Sequence, residues 1–399
     1  MTDKRYWIWL QKTLGIGSRF KAILEEFGSV EKLYSSNLLE WRMSKVLTSK
    51  QIERLQQYSL DDANEVIDAC DRNGWKIITF DDKLYPARLK EISNPPAVLY
   101  VDGEMPELDR AIAIGVVGTR KASSYATKAA YVMAKGIALC GGIIVSGGAL
   151  GVDSASHKGA LAANAKTIAV LGNGLGSDYL KSNKELREQI KNSGALVTEF
   201  PPYTPASKTT FPMRNRIISG LSLGLLVVEA GVKSGSLITA RCASEQNRDI
   251  FAIPASIFDY NFYGTNKLID DGAVVATSPK VILEMYSEQY ESLDLSKLKT
   301  VRELFEETCD KSANIKKEKQ VNFEDIAQDR AQAVKKQNTA LELKGDEKIV
   351  YDVLGESFEV IDMITQKSGI ETKRVLVALT ILEMKGLAVS ALGKRYKLK

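Results

Sequence analysis

The sequence has very little histidine and cysteine, and this scarcity excludes several kinds of site. Of the 399 residues, only His157 is a histidine. Metal sites and catalytic centres built from several imidazoles are therefore nearly excluded. The four cysteines lie far apart and form no CxxC pair, which argues against a zinc site or a disulfide framework and fits a reducing cytosol. We expect no bound metal.

Long apolar runs and familiar nucleotide-binding loops are also absent. No segment reaches the roughly 20 apolar residues of a membrane helix, and Gln11 and Lys12 cut short any signal peptide. We therefore expect a cytoplasmic protein without membrane contact. No GxxxxGK[ST] motif occurs, and Ser177 stands where a GxGxxG motif starting at Gly172 needs its last glycine. Glu199 lies only loosely at the position of a ribose-binding acid, so we expect no cofactor.

The net charge of +4 is small, but the charge is unevenly distributed. Residues 111–280 contain 18 basic and 11 acidic residues, a net charge of +7, and 19 of the 29 glycines. The rest of the chain carries −3, and no acid occurs from Arg110 to Val152. Such a composition is typical of a surface where the backbone approaches an anion. Buried parallel strands are acid-poor as well, so composition alone does not decide.

The order of predicted elements indicates several domains. Short helices over residues 1–62 predict a helical (helix-hairpin-helix or SAM-like) domain. Its Gly15-Ile16-Gly17 turn either seats a DNA phosphate or joins two packed helices, and we favour packing. Residues 63–287 alternate short apolar strands with helices, which predicts an α/β fold with an extended Rossmann-like, doubly wound parallel sheet.

The C-terminal part of the chain has two predicted segments. Residues 288–345 are polar and contain one glycine, Gly345, and no proline, which is typical of a helical or partly disordered linker. Residues 346–399 show three amphipathic helices and a hairpin around Gly393, the order of a winged helix. A winged helix binds DNA or protein, and we weigh these two partners equally.

Polar, glycine-rich segments follow four predicted strands, at residues 118–121, 146–154, 172–176 and 229–236. Carboxyl ends of parallel strands share one edge of a sheet, where ligands bind. Glycines there free backbone amides for an anion, so four such turns predict a surface for a polyanion. The candidate residues are Gly118, Thr119, Arg120, Ser146, Gly147, Gly148, Lys233, Ser234, Gly235 and Ser236.

A segment near residue 210 adds cations and an aromatic ring to these candidates. They are Lys208, Phe211, Arg214, Asn215 and Arg216, placed in a long loop and the helix that follows. Cations bind phosphates and a ring stacks on a base, which favours a strand of nucleic acid. In the alternative interpretation Phe211 is a packing corner and the arginines are surface charge. His157 and Asp153 lie four residues apart, but a structural histidine and a helix cap are preferred to catalysis.

These segments together resemble the DprA (Smf) family of bacterial DNA-processing proteins. The similar motifs are GTR (118–120), SGGALGVD (146–153) with His157, FPMRNRIISG (211–220), VEA (228–230) and SGSL (234–237), preceded by YP (85–86) and PPAVLY (95–100). The resemblance covers residues 1–280, and the winged-helix-like tail is similar to that of many members. Two departures are Leu180, where a proline follows the tyrosine in the family, and Gly148, where a leucine is usual. We expect local changes from them, without loss of DNA binding.

The resemblance implies a protein without catalytic residues. Family members bind single-stranded DNA through the Rossmann-like domain, form homodimers through it, protect incoming strands in natural transformation and load the RecA recombinase. Single-strand-binding protein is a further implied partner. The family's DNA contacts correspond to Arg120, Lys208, Phe211 and Gly235, with Arg214 and Arg216 as additional candidates. The rival hypothesis is a nucleotide-processing enzyme of the lysine-decarboxylase-like (phosphoribohydrolase) group, although the turn at residues 229–236 lacks the PGGxGTxxE signature of that group.

Overall fold

In this computed structural model the described residues are 2–179, 181–307, 343, 345–355, 357–385, 387–391 and 395–398. The chain divides into two compact units, residues 1–310 and 311–399. The first unit contains both the helical segment and the large sheet, so the predicted boundary at residue 62 does not separate two compact bodies. The two units are described in turn.

Six helices open the first unit. They are α1 (Lys4–Leu14), α2 (Phe20–Phe27), α3 (Val30–Ser35), α4 (Leu38–Met43), α5 (Ser49–Gln57) and α6 (Asp61–Asn73). The Asp3 side chain caps α1 by accepting a hydrogen bond from the Arg5 amide, and α1 ends at Gly15. Apolar side chains of these helices, including Trp7, form one core with Tyr100 of the sheet. The helices are therefore packed on one end of the sheet.

Within the described residues, nine strands form one sheet in the order β1-β2-β6-β5-β4-β3-β7-β8-β9. The strands are β1 (Lys76–Thr79), β2 (Val98–Gly103), β3 (Ala113–Val117), β4 (Ile143–Ser146), β5 (Thr167–Val170), β6 (Ala195–Thr198), β7 (Gly224–Val227), β8 (Asp249–Ala252) and β9 (Val274–Val275). All neighbours from β6 to β9 are parallel, which confirms the predicted doubly wound sheet. Only β1 and β2 are antiparallel additions at one edge.

Helices cover both faces of this sheet. They are α7 (Ala87–Lys90), α8 (Ser124–Leu139), α9 (Val152–Ala162), α10 (Lys184–Ser193), α11 (Thr210–Leu221), α12 (Ser236–Glu245), α13 (Tyr263–Asp270) and α14 (Pro279–Glu284). The central strands are buried on both faces and are therefore apolar throughout. The strand order reverses between β3 and β7, where a doubly wound sheet opens a crevice for a ligand.

The segment FPMRNR (211–216) is helical, which corrects the prediction of a loop up to about Asn215. Helix α11 begins at Thr210, and Pro212 stands in its first turn. Proline is tolerated there because the first amides of a helix have no intrahelical partner. Helical geometry then sends neighbouring side chains in different directions, so the cations of this segment do not share one face.

The Gly15-Ile16-Gly17 turn between α1 and α2 lies against α11. A Cβ atom at Gly17 would stand 3.1 Å from Cε of Met213 and 3.8 Å from a guanidinium nitrogen of Arg216. This position favours the interpretation of the turn as a packed connection between helices, which is the one the sequence preferred.

The predicted linker, residues 288–345, begins too early. Residues 301–307 are helical (α15) and belong to the first unit. Leu304 is buried, and Glu307 forms ion pairs with Lys135 of α8 and with Lys299. These contacts fasten α15 to the helices that cover the sheet. The rest of the predicted linker lies largely outside the described residues.

The second unit contains three helices, α16 (Asp346–Val353), α17 (Ile361–Ser368) and α18 (Thr372–Met384). Strands β10 (Glu359–Val360), β11 (Ala388–Ala391) and β12 (Arg395–Leu398) form a sheet in the order β10-β12-β11. Leu379 and Ile364 are buried in the core of this second unit. The arrangement is that of a winged helix, as predicted, and β10 adds a third strand to the expected hairpin.

Candidate nucleic-acid interface

An open cleft with a volume of about 340 Å³ lies where the strand order reverses. Its walls come from the turns after β3 and β7, from the N-terminal half of α11 and from the start of α12. Nine of the predicted site residues line it: Gly118, Thr119, Arg120, Phe211, Arg214, Asn215, Ser234, Gly235 and Ser236. The fold thus brings together residues that lie more than 100 positions apart in the chain.

A cation and an aromatic ring line one wall of the cleft, and a second aromatic ring packs against both. The Arg120 guanidinium stands over the Phe211 ring, 4.5 Å from its centroid, and a guanidinium nitrogen lies 3.4 Å from the Tyr179 hydroxyl. The Tyr179 and Phe211 rings are 5.3 Å apart. A Cβ atom at Gly172 would lie 2.6 Å from the Phe211 ring, so only glycine admits the ring there. These contacts hold Arg120 above the cleft while its side chain stays exposed.

The turn that carries Arg120 is fastened by a buried carboxylate. Glu229, directly after β7, accepts hydrogen bonds from the Ser123 amide (2.9 Å) and hydroxyl (2.6 Å). The Glu229 carbonyl oxygen also accepts a hydrogen bond from the Thr119 amide. The Ser123 hydroxyl oxygen caps α8 by accepting from the Ala126 amide. Glu229 therefore positions the turn and is already occupied by these donors.

Arg214 lies at the floor of the cleft, and its side chain is almost fully buried. Its guanidinium donates to the carbonyl oxygens of Gly147 (2.7 Å) and Val170, and the group is buried. Burial lowers the pKa of Arg214 to about 10, while the nearby Asp153 carboxylate favours its charged form. Burial raises the pKa of Asp153. A Cβ atom at Gly147 would stand 2.4 Å from the Arg214 guanidinium, so glycine is required where the side chain passes.

Arg216 faces away from the cleft, which corrects its assignment as a phosphate contact. Its guanidinium forms a buried ion pair with Glu199, with 2.6 Å between the charged atoms. The Glu199 carbonyl oxygen accepts a hydrogen bond from Gln11 of α1. Burial raises the pKa of Glu199. Arg216 and Glu199 thus connect the sheet, α11 and the N-terminal helices, and Glu199 is not a free acid for a ribose.

The remaining predicted residues divide into exposed and buried ones. Lys208 and Lys233 are exposed and lie within three positions of cleft residues in the chain, and a Cβ atom at Gly235 would have open space around it. Ser146 is buried and donates to the Val116 carbonyl oxygen. Gly148 has a φ of +64°, a left-handed conformation that favours glycine over a residue with a side chain such as leucine. Ser146, Gly147 and Gly148 therefore support the cleft from below.

His157 is a structural residue in the core. Its Nδ1 lies 2.8 Å from the Thr167 hydroxyl, which itself donates to the Ile144 carbonyl oxygen. The histidine must then be the donor to Thr167, so Nδ1 carries a proton. Burial, with a smaller contribution from the Arg214 charge, lowers the pKa of His157 to about 3.

The low pKa of His157 predicts a pH-dependent stability. The unfolded chain takes up a proton at this residue below about pH 6.5, whereas the folded protein does so only near pH 3. The free energy of unfolding should therefore decrease, as pH falls through this window, by about 1.4 kcal/mol per pH unit from this residue alone. Urea unfolding at pH 7.5 and 5.5 measures the decrease. In the His157→Gln variant the decrease should be smaller by about 1.4 kcal/mol; equal decreases would contradict the assignment.

Several cations of the winged-helix unit are neutralised by its own acids. Arg374 at the start of α18 makes two hydrogen bonds to the Asp346 carboxylate, at 2.7 and 2.6 Å. Lys385, directly after α18, pairs with Glu347. A DNA-reading winged helix uses such residues on phosphates. These ion pairs make this helix a weaker candidate for DNA contact than the cleft.

Within the described ranges, no three histidine, cysteine or acidic side chains come together as candidate metal ligands. No helix among them is both long enough and apolar enough to cross a bilayer.

Sequence reasoning missed two residues of the interface. Tyr179 is not among the residues predicted from the sequence. Its position after β5 is a usable signal, because an aromatic side chain there lies at the same edge of the sheet as the other turns. Glu229 was considered only as part of a motif, and nothing in the sequence indicates that it binds Ser123, which is 106 positions away.

The sequence also matches known families and proteins. The sequence model of the DNA recombination-mediator protein A family matches residues 76–287, and that of the DprA winged helix domain matches residues 334–394. The chain is 42% identical over 224 residues to the DNA processing protein DprA of Bacillus subtilis, covering 56% of this chain and 75% of that protein. It is 39% identical over 239 residues to Protein Smf of Escherichia coli, covering 60% of this chain and 64% of that protein.

A solved structure is similar to most of this chain as well. The X-ray structure of DprA from Streptococcus pneumoniae superposes with a TM-score of 0.63 at 33% identity, covering 73% of this chain and 99% of that one. Both the sheet domain and the winged helix therefore have counterparts in one group of DNA-processing proteins. The chain belongs to the DNA recombination-mediator protein A (DprA) family.

Proposed function

We propose that this protein is a non-catalytic mediator that binds single-stranded DNA, protects incoming strands and loads the RecA recombinase onto them in natural transformation and recombination. The observation that carries the proposal is the cleft between β3 and β7. There an exposed guanidinium stands over an aromatic ring, and glycine-rich turns present backbone amides at the start of α12. Cations for phosphates beside a ring for bases is the chemistry of single-strand binding without sequence preference.

Binding begins, on this proposal, at the exposed cations. Arg120, Lys208 and Lys233 contact phosphates, and the amides near Gly235 add the partial positive charge of the α12 N-terminus. Because Arg120 covers one face of the Phe211 ring, a base that stacks there displaces the guanidinium toward the adjacent phosphate. Tyr179 is a second surface for a base. Arg214 contributes positive potential from the floor without contacting the strand.

The first test is the preference for single strands. Fluorescence anisotropy with a labelled oligodeoxythymidylate and with a duplex of equal length should show tighter binding of the single strand. Three phosphate contacts give a slope of about −2 in log K against log salt, so affinity falls roughly tenfold or more between 50 and 200 mM salt. Equal affinity for the duplex, or no dependence on salt, would contradict this interface.

The mediator role is tested separately from DNA binding. The family description as a recombination mediator supports it, and homodimers formed through the sheet domain would lengthen the DNA-binding surface. We expect RecA filaments to form faster on DNA coated with single-strand-binding protein when this protein is present. A protein that binds single strands but leaves filament formation unchanged would retain the DNA-binding role and lose the mediator role.

The rival function, hydrolysis of nucleoside monophosphates, has less support. Glu229, the acid at the corresponding turn, is buried and already accepts two hydrogen bonds from Ser123. Asp153 lines the cleft, but it lies beside the Arg214 guanidinium. Incubation with nucleoside monophosphates should therefore release no free base. Turnover that is abolished by Asp153→Asn would favour the enzyme instead.

A further inference from the structure

The segment that leads from β8 into the first residue of α13, residues 256–263, exposes an unusual group of apolar side chains. Phe258 is 90% exposed, Tyr260 84% and Ile257 83%, and Tyr263 is also exposed. Phe258 is the most exposed large apolar side chain in the described part of the chain. A cluster of this kind on a folded domain marks a binding surface more often than scattered single residues do. We refer to residues 256–263 as the aromatic loop.

The aromatic loop is held in place by its own contacts, so this exposure belongs to a defined conformation. Its Phe262 is buried against Tyr125, with ring centroids 5.6 Å apart. The Asp259 carboxylate accepts a hydrogen bond from the Asn261 amide at 3.0 Å. Next to the loop, the Asn266 amide group donates to the Ala255 carbonyl oxygen. Anchored backbone and outward side chains are what a rigid stacking surface requires.

The aromatic loop lies beside the cleft on the same edge of the sheet. Strands β7 and β8 are parallel neighbours, so the segments that follow them adjoin. The Gly264 amide donates to the Ala230 carbonyl oxygen at 2.7 Å, and the Tyr260 carbonyl oxygen would lie 3.6 Å from a Cβ atom at Gly231. Gly235 of the cleft comes four positions after Gly231, a stretch of chain that spans at most about 14 Å.

We propose that the aromatic loop is a second stacking surface for the same single strand, with Phe258 and Tyr260 each holding a base. The strand would leave the cleft at Gly235 and pass the exposed Lys233, which lies in the chain between Gly235 and Gly231, the residue next to the Tyr260 carbonyl oxygen. The proposal rests on the proposed function. Two exposed rings with a cation on the path match a nucleic acid strand, in which bases and phosphates alternate.

The test compares substitutions that remove a ring with substitutions that remove only apolar surface. Phe258→Leu and Tyr260→Leu keep an apolar side chain but lose the flat ring, whereas Phe258→Trp keeps a ring. Ile257→Ala is the matched control, because it removes a similarly exposed aliphatic side chain from the same loop. All are made in the full-length protein, and unchanged thermal unfolding checks that these exposed positions leave the fold intact.

Two oligodeoxythymidylates separate the aromatic loop from the cleft, one of about 4 nucleotides and one of about 16. The double variant Phe258→Leu/Tyr260→Leu should bind the longer strand at least tenfold more weakly and the shorter one as the unchanged protein does. The slope of log K against log salt should stay the same, because no cation is removed. Phe258→Trp and Ile257→Ala should bind normally, and 5-iodouracil in the longer strand should cross-link to the loop.

Other results would overturn the proposal. Unchanged binding of the longer strand by the double variant would exclude the aromatic loop from the path of the DNA. A loss with Ile257→Ala equal to that of the double variant, together with altered sedimentation, would assign the loop to a protein partner or a second copy. Absence of binding to both strands by the unchanged protein would reject the proposed function itself, a result distinct from a loss confined to the longer strand.

Discussion

Charge reversal at Arg120 or Lys208 should weaken single-strand binding at least tenfold. Each substitution to glutamate removes one phosphate contact and adds a repulsive charge at the same place. Because Arg120 also stands 4.5 Å from the centroid of the Phe211 ring, Arg120→Glu additionally removes the contact that positions this wall of the cleft. Arg120→Glu is therefore expected to have the larger effect of the two. Fluorescence anisotropy at fixed salt measures both.

The matched control for these variants is Lys158→Glu. Lys158 is exposed on α9 within the same basic segment, so its reversal changes the net charge by the same amount away from the cleft. It should weaken binding less than threefold or so, through the long-range field alone. If all three variants lost affinity equally, net charge and not the cleft would account for binding. If Arg120→Glu and Lys208→Glu both bound normally, the assignment of these residues would be wrong.

Removing either partner of the buried pair between Arg216 and Glu199 should be the most destabilising of the changes considered. Arg216→Ala leaves the Glu199 carboxylate buried without its cation, and such a loss costs about 3–5 kcal/mol of unfolding free energy. The pair also fastens α11 to Glu199, directly after β6, and the Glu199 carbonyl oxygen accepts a hydrogen bond from Gln11 of α1. Urea unfolding followed by tryptophan fluorescence measures the change, since Trp7 and Trp9 lie in the adjoining core.

Two comparisons sharpen this prediction. The double variant Arg216→Met/Glu199→Leu should be more stable than either single variant, because it buries no unpaired charge. Lys267→Ala breaks an exposed pair with Asp271 and should cost less than about 1 kcal/mol. If Arg216→Ala instead left stability unchanged and reduced DNA binding, Arg216 would be the phosphate contact expected from the sequence. The buried pair with Glu199 would then not be its main role.

The sequence was sufficient for the type of fold and for most of the cleft. Short apolar strands that alternate with helices, with glycine-rich turns after successive strands, predicted the doubly wound sheet and the edge at which its ligand binds. Nine of the fifteen predicted contact residues line the cleft, and Lys208 and Lys233 are exposed near it. This part is predictable because strand direction in a parallel sheet fixes which turns meet, whatever the side chains do.

The sequence did not predict the directions in which the side chains of α11 point. Arg214 and Arg216 are equally basic in the sequence, yet one lies at the floor of the cleft and the other pairs with Glu199. The start of α11 at Thr210 decides this, because each residue along a helix turns the side chain by about 100°. Charge alone gives no sign of which cation the core will bury.

The sequence by itself thus identified the basic segment, the sheet and the family of related proteins. Its single histidine also argues against several metal and acid–base chemistries. Tertiary structure alone decided which cations remain at the surface, that Glu229 holds the turn of Arg120, and that Tyr179 stands beside Phe211. The physical reason is distance along the chain. Local preferences act over a few residues. Ion pairs, ring contacts and side-chain hydrogen bonds instead join residues that are 17 to 106 positions apart.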